Sequence, residues 1–128
     1  MGITTMNQTP EDIRERTFRF ALQIINTSER LPATRSGNIL AKQLIRAGTS
    51  IGANAQEALA AHSRNDFIYK NSIALKEARE TNYWLRLIKG ANLSNCPELE
   101  TLYVESDEIM RIFGAIVSKS RGKSKKLE

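Results

Sequence analysis

Residues Gln43–Ala58 read QLIRAGTSIGANAQEA, and within them Leu44, Ala47, Ile51, Ala55 and Ala58 recur at steps of three and four. That spacing lays one face of an α-helix and does not fit the two-residue period of a strand. Leu40 extends the same stripe toward the N-terminus. Nine of the fifteen residues Ala47–Ala61 are Ala, Gly or Ser. Gly48 and Gly52 are among them, although glycine costs about 1 kcal/mol relative to alanine inside a helix. The stretch therefore predicts a helix from near Ser36 to about His62 whose neighbours approach closely.

Upstream of it, Thr9-Pro10 reads as an N-cap followed by a first-turn proline, with Glu11 and Asp12 near the positive helix end. Ile13, Phe20, Ile24 and Leu31 then mark an inward face, with Thr17 and Thr27 at the intervening steps, and Leu31-Pro32 closes the helix. Downstream, Ser63 to Asn65 supply caps for a third helix from about Asp66 to Ala91. Its inward stripe is Phe67, Asn71, Ala74, Ala78, Thr81, Leu85 and Ile88, flanked by Ile73, Glu77, Glu80, Trp84 and Leu87. After a turn over Asn92–Pro97, a fourth helix carries Leu99, Leu102, Ile109, Phe113 and Ile116, with Met110 and Val117 beside them, and ends near Ser118. Four helices of roughly 20–28 residues joined by short loops predict an all-α, antiparallel up-down-up-down bundle. Residues 1–9 are read as a flexible N-terminus, 10–118 as the bundle and 119–128 as a basic disordered tail.

At 128 residues the chain suits one domain. The lone Cys96 excludes an intramolecular disulfide framework. No apolar run reaches the roughly 18–20 residues of a membrane span, and the first residues show no secretory pattern, so a cytoplasmic protein without membrane contact is expected. The net charge of +5 is local. Ser118–Glu128 holds five basic residues and one acid, so the rest keeps 14 basic and 13 acidic, or +1.

A di-iron bundle needs two Glu-x-x-His pairs. The single histidine, His62, has no acid three residues before it, and Glu57 lies five residues away on another face. Cys96 has no histidine in local sequence to act as base. No catalytic residue, metal or cofactor is expected.

One pattern stands beside the core stripe. Gln43, Arg46, Ser50, Asn54 and Glu57 follow at steps of 3, 4, 4 and 3, within roughly an 80° arc at the edge of the apolar face. Glu77 and Glu80 hold a comparable flank on the third helix. These seven are candidates for a structural or interface network that fixes helix register, the alternative being ordinary solvated side chains. Tyr69, Tyr83, Trp84, Tyr103 and Met110 exceed what a minimal core needs and are interface candidates, an enlarged core being the alternative.

The segments QLIRAGTSIGANAQEA (Gln43–Ala58) and FIYKNSIALKEARETNYWLRLI (Phe67–Ile88) closely resemble four-helix-bundle proteins encoded in intervening sequences of 23S ribosomal RNA genes. The Leu31-Pro32 turn fits as well, and the resemblance covers residues from about 13 to about 117. Many members carry proline at the Gly52 position and glycine at the Ala58 position, so this chain departs there. The resemblance implies an antiparallel bundle, a ring-like homopentamer and no assigned activity. The expectation is thus a non-catalytic homo-oligomeric scaffold. Its tail residues Lys119, Arg121, Lys123, Lys125 and Lys126 are candidate contacts to RNA or DNA phosphates. The alternative is an adaptor for an unknown protein partner, its tail serving solubility alone.

Overall fold

Each of the first three helices begins at a side chain that satisfies one of its free N–H groups. In the computed structural model, which describes residues 12–127 and side chains through residue 122, α1 spans Ile13–Ser28, α2 Arg35–Leu59, α3 Arg64–Gly90 and α4 Glu98–Leu127. The Asp12 carboxylate accepts from the Arg14 N–H at 2.9 Å, Thr34 Oγ1 from Gly37 at 3.0 Å, and Ser63 Oγ from Asp66 at 3.1 Å. Losing such a cap costs about 1 kcal/mol. Asp12, and not Thr9, is therefore the α1 cap, and α1 is shorter than the spacing predicts, at 16 residues. Thr9, Pro10 and the N-terminal stretch 1–9 lie outside the described residues.

α3 ends in a Schellman turn. Leu93 N–H reaches back to Ile88 O at 3.2 Å and Asn92 N–H to Lys89 O at 3.1 Å. Asn92 takes the left-handed backbone conformation, φ 54°, that this ending requires. Pro97 then precedes Glu98, the first residue of α4. The sequence places the end of α4 near Ser118, whereas helical backbone runs on to Leu127. Packing explains the extension as far as the side chains are described: Ser120 is buried, and Arg121 donates to Ser72 Oγ on α3 at 3.4 Å.

Side-chain contacts establish that neighbours run antiparallel. A Cβ on Gly48 would meet Ile24, and one on Gly52 would meet Thr17, so α2 ascends as α1 descends. Lys89 pairs with Glu100, Asn82 donates to Ser106 Oγ, and Arg121 reaches Ser72, giving the same sense for α3 and α4. Arg16 with Glu105 and Arg30 with Glu98 do so for α1 and α4. Helices pack in the order α1–α2–α3–α4 and back to α1, with the α1–α4 seam the loosest of the four.

The core is the predicted one with small shifts. Phe20, Ile24, Leu44, Ile51, Leu85, Ile88, Ile109 and Phe113 are fully buried, and each such side chain contributes about 1.5–3 kcal/mol. Thr17 and Thr81 lie among them because their hydroxyls donate to the carbonyls of Ile13 (2.8 Å) and Glu77 (2.7 Å) one turn back. On α4 the expected order is reversed: Val117 is buried and Ile116 only partly so. The spacing through Ser106, Ile109 and Phe113 continues to Val117 and Ser120, which follows the 3.6-residue period.

Candidate functional site

The polar stripe of α2 meets α3 along one edge. Arg46 Nη1 donates to Glu77 Oε1 at 3.2 Å, its Nη2 donates to Glu80 Oε1, and its Nε donates to Gln43 Oε1 at 3.4 Å. The bond to Glu80 is the main cause holding the Arg46 pKa above its ordinary value. Ser50 and Asn54 turn back on their own helix instead, to Arg46 O at 2.6 Å and Ser50 O at 2.9 Å. Glu57 is exposed and joins none of these bonds. The Glu77 side chain is 10% exposed and that of Arg46 48%. The cluster is thus half solvated, worth on the order of 1 kcal/mol or less, and suited to setting register.

The five interface candidates divide. Tyr69 and Tyr83 are exposed, whereas Trp84, Tyr103 and Met110 pack against the core. Tyr83 stands edge-on to Trp84 with ring centroids 5.5 Å apart, and Lys89 Nζ lies 4.6 Å from the centroid of Tyr103. Ile39 on α2 and Leu87 on α3 are exposed as well. With Arg46 opposite Glu77 and Glu80, the antiparallel pairing sets Ile39 two turns along, on the edge that carries Tyr83 and Leu87.

A second apolar face was not read from the sequence. Phe18, Leu22 and Ile25 on α1 are 57, 51 and 41% exposed. Phe18 borders a groove of about 430 Å³ between α1 and α2, whose other wall is Thr49, Gly52, Ala53 and Gln56. Steps of four and three were the available signal. The stripe through Phe20 and Ile24 already accounted for the core, and only the position of α2 tells which of the two stripes is covered.

Of the tail residues, Lys119 and Arg121 are exposed on α4, while the side chains of Lys123, Lys125 and Lys126 lie outside the described residues. Cys96 Sγ donates to Glu98 Oε1 at 2.6 Å, and that bond leads the causes holding the Glu98 carboxyl below its ordinary value. His62 is exposed in the α2–α3 loop. No helix among the described residues is long and apolar enough to cross a membrane.

Comparison with known proteins agrees with this architecture. A protein of unknown function from the S23 ribosomal protein family of Bacteroides thetaiotaomicron VPI-5482 has a crystal structure similar to this one, with a TM-score of 0.76 and 39% sequence identity over 83% of this chain and 98% of its own. No curated protein sequence matches the chain. The family model described as 23S rRNA-intervening sequence protein matches residues 11–115, which hold α1, α2, α3 and most of α4. The chain belongs to the 23S rRNA-intervening sequence protein family.

Proposed function

We propose that this protein is a non-catalytic scaffold that assembles with copies of itself, as a pentameric ring, and that its basic C-terminal residues hold RNA or DNA. The observation that carries the assembly is the presence of two different exposed apolar faces, Phe18–Leu22–Ile25 on α1 and Ile39–Tyr83–Leu87 across α2 and α3. Covering the exposed part of a half-buried Leu or Phe contributes on the order of 1 kcal/mol. A self-complementary face produces a two-fold dimer, whereas two unlike faces join copies head to tail, and a head-to-tail contact that closes makes a ring. The number five comes from the family resemblance. Lys119, Arg121, Lys123, Lys125 and Lys126, repeated in every subunit, would act together on one polyanion.

Light scattering across concentrations tests the assembly. The expected mass is five times the 14.4 kDa of one chain. The doubly substituted Phe18→Glu, Leu22→Glu protein is expected to run as a monomer with unchanged helix content, since both side chains are already exposed. A wild-type protein that stays at 14.4 kDa throughout would overturn self-assembly and favour the adaptor reading.

A further inference from the structure

Resting on the nucleic-acid reading above, we infer that the helical bundle itself carries a phosphate-binding groove between α3 and α4, in which Arg79 and Arg121 engage the phosphodiester backbone, with Arg86 continuing the contact along α3. The first support is how arginines are partnered. Several arginines elsewhere end on carboxylates: Arg14 on Asp12 at 2.8 Å, Arg16 on Glu105 at 2.7 Å, Arg30 on Glu98 at 3.6 Å, and Arg46 on Glu77 and Glu80. Arg79, Arg86 and Arg121 are exposed and have no carboxylate partner among the described residues; Arg35 and Arg64, also without one, stand singly as the first residues of α2 and α3. Guanidinium groups left uncompensated and side by side raise the local potential, and their forked donors match phosphate oxygens.

The second support is shape. Arg79 and Arg121 line one groove of about 410 Å³ with Leu75, Val117, Gly114 and Gly122. Nothing lies within 4 Å of where a Cβ would stand on Gly114 or Gly122, so the groove wall is open to a close-lying strand. The bond from Arg121 to Ser72 Oγ holds its guanidinium against α3. Arg86 lies beyond the groove, bordering a hollow with Tyr83 and Leu87, seven residues along α3 from Arg79, which is two turns and about 10 Å, the axial span of about three phosphates of one strand. Acids on this side of α4 are themselves bonded, Asp107 to Arg111 at 2.8 Å and Glu100 to Lys89. Arg79 of α3 and Arg121 of the basic C-terminal segment therefore place two guanidinium groups without carboxylate partners on one seam.

The test uses the full chain, a fluorescent duplex RNA and a duplex DNA of the same sequence, with binding measured as a function of salt. One variant carries Arg79→Gln, Arg86→Gln and Arg121→Gln. A control loses the same charge elsewhere through Arg14→Gln, Arg30→Gln and Lys42→Gln, and a third carries Lys123→Gln, Lys125→Gln and Lys126→Gln in the tail. Circular dichroism checks that all remain helical. Each lost phosphate contact lowers the slope of log affinity against log salt by about 0.9, so the groove variant is expected to lose about 2–3 in slope on RNA or DNA while the control keeps the wild-type slope. A groove variant that matches the control overturns the groove and leaves the tail reading standing if the tail variant alone weakens binding. A wild-type protein that retains neither duplex at physiological salt overturns both.

Discussion

Single side chains set how near two helices lie. A Cβ placed on Gly48 would stand 2.8 and 2.9 Å from Cγ2 and Cγ1 of Ile24. Ile24 is fully buried and branched at Cβ, so it cannot swing aside. Gly48→Ala is therefore expected to destabilise the bundle by about 1–2 kcal/mol through overpacking, despite alanine's better helix propensity. Gly114, also inside a helix, has nothing within 4 Å of its Cβ position, and Gly114→Ala is expected to stabilise by about 0.5–1 kcal/mol. Urea unfolding followed by circular dichroism measures both, and equal shifts of the same sign would contradict the account. The Ala/Gly-rich stretch showed in the sequence that something comes close to α2. It could not show that Ile24 is what comes close, because that depends on the pairing of two helices.

For the helices, local chemistry was readable and distant chemistry was not. Thr34 and Ser63 lie within three residues of the N–H groups they cap, so the starts of α2 and α3 are visible in short windows of sequence. The clamp between α1 and α4 is not, because Arg16 and its bidentate partner Glu105 stand 89 residues apart. Arg16 also donates to Glu108, and that bond leads the causes that place the Glu108 carboxyl below its ordinary value of 4.5. A carboxyl whose folded pKa is depressed contributes stability above the unfolded value and loses it as pH falls through the folded one. The melting temperature is thus expected to decline from near pH 4.5 downward. Arg16→Gln should flatten part of that decline, leaving the shares due to Asp12, whose carboxyl is lowered by Arg14, and Glu98, whose carboxyl is lowered by Cys96. A variant curve parallel to wild type down to low pH would show that the clamp does not act through this charge.

For the molecule as a whole, the bundle followed from periodicity, while its surface had to be assembled from several helices before it could be read. The apolar face at Tyr83 and Leu87 gains Ile39 only because α2 and α3 run antiparallel, and the arginine groove takes its charges from α3 and α4 together. Head-to-tail association makes a sharp prediction in a background where Cys96, the lone cysteine, is replaced by Ser. Leu22→Cys subunits alone and Tyr83→Cys subunits alone should form few disulfides, whereas a mixture should cross-link. Efficient cross-linking of either variant alone would indicate a two-fold dimer.

The clamp of Arg16 on Glu105 also bears on the order in which the chain comes together. Three of the four helix seams join elements consecutive in sequence, so they close short loops and form quickly. The α1–α4 seam must close the long one, at a greater cost in chain entropy, and it is the loosest when formed. It should therefore be absent from the transition state. Stopped-flow measurements on Arg16→Ala are expected to show faster unfolding and a refolding rate close to wild type. Slowed refolding that accounted for the whole stability loss would place this seam in the nucleus. If the seam closes late, it is also the first to reopen, which makes the parting of α1 from α4 the step by which the folded subunit begins to come apart.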